Sequence, residues 1–184
     1  MNATEKKSRL FCTPSHITKA LLKRESFPGS ISEPATGRGD IVDVLRQCGY
    51  SDIHASDIRA WGYPCQVEDF LKSERPHDSL ITNPPFHLKW DFLIQTKRLI
   101  RHKIALLLPL EAEYTKRFVR EHQSDQDFPW KALYSFLEPI RWLNVRTPAN
   151  KMKFGWFVFE RGYRGHVLRE KIGFCRRANR EQSK

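Results

Sequence analysis

The feature that most constrains the fold is a nearly continuous apolar run at residues 104–110, with the sequence IALLLPL. Strands covered by helices on both faces are apolar throughout, whereas strands with one wet face alternate between apolar and polar residues. The run therefore predicts a central strand of a mostly parallel sheet. Such sheets occur in α/β proteins, in which strands and helices alternate along the chain.

The segments around this run alternate as that class requires. Apolar residues at helical spacing predict helices at residues 15–24, 40–48 and 88–101. Ser15 is expected to cap the first of them. Short apolar segments predict further strands at 30–33, 52–58, 78–82, 133–143 and 155–160. With no repeat or linker, we predict one α/β domain over residues 1–184, whose ligands bind beyond the carboxyl ends of the strands.

The charge of the chain is strongly positive and unevenly placed. The net charge is +11, and residues 161–184 hold eight Lys or Arg against two Glu, which gives +6. We define residues 166–184 as a basic C-terminal tail. Such a tail favours a polyanionic partner, because neutralising phosphates releases counterions. A solvated tail without a partner is the alternative.

Four cysteines and the apolar segments bear on the compartment and on metal binding. The cysteines are widely spaced, without a CxxC pair or a His at zinc spacing, so we expect reduced thiols and no metal: Cys12, Cys48, Cys65 and Cys175. No apolar run approaches the ~20 residues of a membrane span. The N-terminus lacks the apolar stretch of a signal peptide. We therefore expect a cytoplasmic protein with no membrane partner.

A glycine-containing turn follows the first predicted strand, where residues 33–40 read EPATGRGD. Gly37 and Gly39 allow a tight turn and a close approach of the backbone to a ligand. A dinucleotide fingerprint would require a third glycine at position 42, which is Val42, and the Lys of a P-loop is absent. The turn therefore predicts a ligand without a phosphate group.

Acidic residues follow the next two strand candidates. Asp57 ends the second predicted strand, 20 residues after Gly37, and an acid at this spacing can bind ribose hydroxyls. An acid exposed at the end of a strand is the alternative. Asp69 and Phe70 combine a carboxylate with a ring, which could hold an adenine.

The most specific motif is Asn83-Pro84-Pro85-Phe86, directly after a predicted strand. The two prolines fix two φ angles and make a rigid turn. The Asn83 side-chain oxygen and the Pro84 carbonyl can then accept hydrogen bonds from one NH₂ group and aim its lone pair at a methyl donor. Positioning and fixed dipoles supply the rate. Phe86 offers a flat face for an extruded base. A proline turn with an aromatic staple is the alternative.

Together with Thr13-Pro14 and residues 156–158 and 161–165, these motifs resemble class I adenine-N6 methyltransferases in the gamma order of motifs. The chain is similar to the compact phage and prophage members from residue 11 to residue 165. The resemblance implies S-adenosylmethionine as cofactor. It also implies a Rossmann-like sheet of seven mostly parallel strands, with the last strand antiparallel and helices on both faces.

The resemblance also assigns roles to individual residues. Asn83, Pro84, Pro85 and Phe86 would be the catalytic residues that hold the target base. Thr13 and Pro14 would cover the methionine end of the cofactor. The remaining cofactor contacts would come from the turns after the first three strands: Glu33, Pro34, Ala35, Gly37, Gly39, Asp57, Ile58, Asp69 and Phe70.

The substrate is less constrained than the chemistry. Larger relatives carry a target-recognition domain, and here residues 111–130 and the basic tail are the candidate substrate readers. We expect N6 of adenine in DNA as the target. The alternatives are a base in RNA (guanine N2, which the following His87 favours, or adenine N6) and a glutamine amide in protein. An alternative from another class is a non-catalytic nucleic-acid-binding module. The oligomeric state stays open.

Overall fold

The computed structural model describes residues 10–143 and 152–173. Eight strands form one sheet in the order β3-β2-β1-β4-β5-β7-β6-β8. The strands are β1 (Ile31–Glu33), β2 (Ile53–Asp57), β3 (Gln66–Val67), β4 (His77–Thr82), β5 (Ile100–Pro109), β6 (Trp130–Phe136), β7 (Phe154–Glu160) and β8 (Leu168–Ile172). The α/β class and the mostly parallel sheet are confirmed.

Two details of the predicted sheet are wrong. The sheet has eight strands and not seven, because part of the expected basic tail forms β8 and pairs in parallel with β6. The antiparallel strand is therefore not the last strand but β7, which runs against both β5 and β6. Residues 174–184 of the tail lie outside the described part of the chain.

Helices cover both faces of the sheet, as expected. They are α1 (Ser15–Leu22), α2 (Asp40–Gln47), α3 (Lys89–Leu99) and the short α4 (Lys116–Phe118), which continues as a π-helix at Val119–Gln123. Ile17 and Leu21 of α1 pack with α2 on one face. Trp90 and Leu93 of α3 pack on the other face.

The central strand β5 explains why the apolar run is continuous. Ala105 and Leu107 belong to the core under α1 and α2, whereas Leu106 and Leu108 belong to the core under α3. Successive side chains of a strand point to opposite faces, so a strand buried on both faces has no polar position. Each fully buried Leu contributes roughly 2 kcal/mol through the apolar area removed from water.

The start of α1 differs from the expectation. The helix begins at Ser15, but Pro14 occupies the capping position and no side chain caps the helix. The Pro14 carbonyl accepts a hydrogen bond from the Ile17 N–H at 2.9 Å. Proline fits here because its φ is restricted to values that suit the first turn of a helix. None of the described helices has the length and apolar character needed to cross a bilayer.

Candidate active site

A cleft of about 750 Å³, including its part open to solvent, lies beyond the carboxyl ends of β1, β2 and β4. Nine residues from the predicted site line it: Pro34, Ala35, Asp57, Ile58, Asp69, Phe70, Asn83, Pro84 and Pro85. Six residues that the sequence did not single out complete the lining: Leu10, Phe11, Trp61, Leu71, Leu88 and Phe92.

Glu33 ends β1 beneath this cleft and is completely buried. Its Oε1 accepts hydrogen bonds from the Ala35 N–H at 3.0 Å and the Thr82 hydroxyl at 2.7 Å. Its Oε2 has no partner among the described residues. The pKa of the Glu33 carboxyl is raised to about 8, chiefly by burial and also by the nearby Asp57, although the two hydrogen bonds act in the opposite direction.

Asp57 ends β2 and ties two turns together. Its Oδ2 accepts a hydrogen bond from the Gly37 N–H at 2.9 Å. Its Oδ1 accepts from the Arg59 N–H at 3.1 Å and from Trp61 Nε1 at 3.0 Å. Each carboxylate oxygen can accept about two hydrogen bonds, so Oδ2 keeps one acceptor site beyond these contacts. The site residue that the sequence missed here is Trp61, which stands four positions after Asp57.

The two predicted glycines lie behind the cleft lining. Both have positive φ, +56° at Gly37 and +87° at Gly39. A Cβ at Gly39 would overlap the Tyr63 ring, and one at Gly37 would lie 2.7 Å from Leu10 Cδ1. Their own conformation and their protein neighbours therefore each require a glycine at these two positions.

The adenine-side candidates follow β2 and β3. Ile58 is 60% exposed although it is apolar, and it forms part of the cleft wall beside Asp57. Phe70 is buried against Phe92, with ring centroids 5.1 Å apart. Asp69 Oδ1 accepts the Leu71 N–H at 3.1 Å and so begins the short 3₁₀ turn Phe70–Lys72. These residues give the cleft one apolar wall with carboxylates at its ends.

Asn83 follows β4, and its amide has two unlike sides. Nδ2 donates hydrogen bonds to the Thr13 hydroxyl at 3.1 Å and to the Phe11 carbonyl at 3.3 Å. Oδ1 is buried and has no partner among the described residues. A buried acceptor without a partner costs about 1–3 kcal/mol, which is unusual unless a ligand satisfies it.

Phe86 lies in a different environment from the one expected for a free stacking face. Its ring packs against Phe11 at 5.1 Å and Phe154 at 5.2 Å between centroids, and it is not among the residues that line the cleft. Trp142 also contacts this aromatic cluster. The ring is half-buried and packs beneath the Asn83–Phe86 turn, so its face is not free for a base to stack on.

Residues 10–14, which we call the N-terminal strap, cross the site. Leu10 and Phe11 line the cleft, and Thr13 holds Asn83. Asp40, the first residue of α2, accepts hydrogen bonds from the Cys12 thiol and the Thr13 N–H. Thr13 and Pro14 are therefore placed behind Asn83 and do not line the cleft, although the family resemblance assigned them to the cofactor.

Comparison with known proteins agrees with this architecture. No family model matches the chain. Two type II methyltransferases of Haemophilus influenzae, M.HincII and M.HindII, are each 33% identical over 95 residues, which cover 48% of this chain. The chain spans less than one fifth of the length of these relatives.

Solved structures extend the similarity over most of the chain. A Pyrococcus horikoshii protein assigned as an RNA methyltransferase has a TM-score of 0.68 at 13% identity, with 84% of this chain and 88% of that chain covered. A protein of Vibrio vulnificus, assigned as the modification subunit of a type I restriction enzyme, has a TM-score of 0.65 at 15% identity, with coverage of 95% and 49%. The magnesium protoporphyrin IX methyltransferase of Synechocystis, solved with bound S-adenosylmethionine, has a TM-score of 0.54 at 15% identity, with coverage of 79% and 76%.

This chain has a Rossmann-like methyltransferase fold. The fold places the cleft where parallel α/β sheets bind their ligands, at the carboxyl edge beside the first strand. It does not by itself fix the substrate, since one fold carries many activities.

Proposed function

We propose that this protein is an S-adenosylmethionine-dependent methyltransferase that modifies N6 of adenine in DNA, with the gamma order of motifs. The observation that carries the proposal is the unpartnered Oδ1 of Asn83 at the wall of the cleft. An exocyclic NH₂ group is the donor that this oxygen lacks. The Pro84 carbonyl would accept the second hydrogen of the same amine.

The residues around the cleft fit S-adenosylmethionine. Asp57 Oδ2 retains an acceptor site for a ribose hydroxyl, while Ile58 and Phe70 supply an apolar wall for an adenine ring. Asp69 lies at the same wall. The cofactor, when bound, supplies a methyl group on a positively charged sulfur. Carboxylates near a cation are favourable, which suits the acidic strand ends of this site.

Asn83 and Pro84 would act by orienting the target amine. An aromatic amine is a weak nucleophile, since its lone pair is delocalised into the ring. Two acceptors that hold its hydrogens favour a more tetrahedral nitrogen, whose lone pair then points at the methyl carbon. Asn83 and Pro84 would hold the amine while its nitrogen took the methyl group; sulfur would keep the electron pair of the broken S–C bond, and the nitrogen would then lose one proton to solvent. No side chain needs to act as a strong base.

Access to Asn83 requires movement of neighbouring groups. Oδ1 is closed to water in this state, so a target amine reaches it only after the side chains around it have shifted. The rings of Phe11 and Phe86 are half-buried and in mutual contact beside the turn. A displaced Phe86 ring would present the stacking face that an extruded base needs.

The similarity to two type II methyltransferases and to a restriction-enzyme modification subunit supports DNA as the substrate. A base in RNA is the second candidate. It is favoured by the P. horikoshii protein, because this chain covers 88% of that protein's length. His87, exposed directly after the catalytic turn, is the residue that a guanine-N2 enzyme would share.

The test is incubation with S-adenosylmethionine and, separately, unmethylated DNA and RNA, followed by mass spectrometry of the nucleosides. We expect N6-methyladenine in DNA, and we expect it to disappear with Asn83→Ala while cofactor binding persists in a thermal-shift assay. Methylguanine or N6-methyladenine in RNA, with no product in DNA, would support the second candidate, a base in RNA, as the substrate. Cofactor binding without any methylated nucleoside would contradict both.

A further inference from the structure

The orientation of the Asn83 amide decides whether the site can work. With Oδ1 toward the target, the amide accepts a hydrogen bond from the amine. If the amide were turned by 180°, its NH₂ group would face the target amine. Both groups would then be donors, and no hydrogen bond could form between them. The proposed function therefore depends on whatever holds this amide in one of its two orientations.

Two groups of the N-terminal strap select the orientation. The Phe11 backbone carbonyl can only accept a hydrogen bond, so the amide group that faces it at 3.3 Å must be the NH₂. The Thr13 hydroxyl accepts the second hydrogen at 3.1 Å. Thr13 is only 3% exposed, so water does not compete for this contact.

The strap is itself fixed at a second point. Asp40 accepts hydrogen bonds from the Cys12 thiol and the Thr13 N–H, and the ring of Pro14 holds its own φ at −59°. Thr13 is therefore anchored through its backbone to the start of α2 and through its hydroxyl to Asn83. Residues separated by 70 positions in the chain are joined in this way behind the cleft wall.

We propose that Thr13 is a positioning residue that orients the Asn83 amide, and that it does not contact the methionine end of the cofactor. This inference rests on the proposed function for its effect on rate. The contact itself can be tested without any methylation, because the hydrogen bond exists in the protein alone.

The decisive variant is Thr13→Val, which keeps the shape of the side chain and removes its hydroxyl. We expect kcat to fall roughly tenfold, the effect of losing one positioning hydrogen bond, while the Kd for S-adenosylmethionine stays within about twofold. Thr13→Ser restores the hydroxyl and is expected to recover most of kcat. If Thr13→Val fails to fold, Thr13→Ala adds no bulk and carries the same prediction.

Thr18→Val is the matched control. Thr18 lies in α1, is fully buried, and its hydroxyl has no partner among the described residues. The same chemical change there should leave kcat and the Asn83 amide unaffected. If kcat fell equally in Thr13→Val and Thr18→Val, the loss would reflect altered packing and not the hydrogen bond to Asn83. That result would overturn the proposal.

NMR of the free protein supplies the readout that is independent of activity. The Asn83 side-chain NH₂ signal, assigned by its loss in Asn83→Asp, should shift in Thr13→Val and stay in place in Thr18→Val. An unchanged signal would overturn the proposal, as would an unchanged kcat in an active enzyme. A raised Kd for the cofactor with a normal kcat would show that Thr13 contacts the cofactor and would overturn the proposal. A shifted NH₂ signal in a protein that methylates no nucleic acid would support the contact and contradict the proposed function alone.

Discussion

Buried polar groups are paired at one end of the parallel strands and unpaired at the other. Near the start of β5, the Glu25 carboxylate accepts hydrogen bonds from Lys103 and Lys131, both at 2.9 Å, and from the Tyr134 hydroxyl at 2.8 Å. Glu160 pairs with the same two lysines at 2.9 and 2.7 Å. At the carboxyl ends of the strands, Glu33 and Asn83 each keep a buried oxygen without a partner among the described residues.

The pKa of each glutamate shows what the difference means. Burial acts to raise the pKa of Glu25, but hydrogen bonds from Lys131, Lys103 and Tyr134 outweigh it, and the pKa lies below its ordinary value. Burial raises the pKa of Glu33 to about 8, since only neutral donors offset it. The paired end satisfies its buried charges within the protein, whereas the unpaired end leaves the Glu33 carboxyl neutral at pH 7 and the Asn83 oxygen without a donor.

The largest expected effect comes from breaking the paired end. Glu25→Gln leaves the buried charges of Lys103 and Lys131 with one carboxylate, Glu160, and we expect the free energy of unfolding to fall by about 3–5 kcal/mol. Urea denaturation measures it. Glu74→Gln, at an exposed residue, should change the value by less than about 0.5 kcal/mol. Equal losses in the two variants would contradict the role assigned to the network.

The second effect concerns the pH dependence of the unpaired end. A carboxyl whose folded pKa is raised from 4.5 to about 8 is stabilising when protonated, so its contribution is complete below pH 4.5 and is lost as the pH rises toward 8. Relative to Glu33→Gln, the wild type should lose about 1.4 kcal/mol per pH unit in this window. Parallel stability curves for the two proteins would show that Glu33 ionises normally.

A third effect tests whether packing against Tyr63 requires a glycine at position 39. Gly39→Ala combines a φ of +87° with an overlap on the Tyr63 ring, so we expect a loss of about 1–2 kcal/mol. Adding Tyr63→Ala should recover the part that is due to the overlap. If the second substitution recovers nothing in thermal unfolding, the Tyr63 ring is not what requires a glycine there.

The smallest effect tests how Asp57 is held. Trp61→Phe keeps a ring in the cleft wall and removes the Nε1 donor that contacts Asp57 Oδ1 at 3.0 Å. Loss of one neutral donor to a carboxylate should weaken cofactor binding by about 3- to 10-fold. Isothermal titration with S-adenosylmethionine measures the change. An unaltered Kd would show that Arg59 and Gly37 orient the carboxylate without help.

The central sheet was predictable from the sequence because burial on both faces leaves a local pattern. The segments of β5 and β7 are apolar enough to be recognised one at a time, whereas the shorter β1, β2 and β4 were located mainly from the motifs that follow them. The strand β8 was missed because its sequence LREKI is mostly charged, as suits an exposed edge. It is a strand only through its pairing with β6, which no local pattern reveals.

The candidate site was predictable as a set of positions but not as a set of contacts. Asp57 and Asn83 are placed by the ends of their strands, and strand ends can be read from the sequence. The partners of their polar atoms come from distant or unremarkable positions, such as Phe11 and Trp61. The packed state of Phe86 likewise depends on Phe154, 68 positions further along the chain.

The most direct test of the proposed role of Asn83 is the single-turnover rate of methyl transfer to DNA by the wild type and by Asn83→Ala, both saturated with S-adenosylmethionine. We predict a rate lower by about 10²–10³ in the variant, the range for removal of one preorganised polar group at a reacting centre, with cofactor affinity nearly unchanged. A variant that transfers methyl groups at the wild-type rate would contradict it, because the unpartnered oxygen would then have no part in holding the amine.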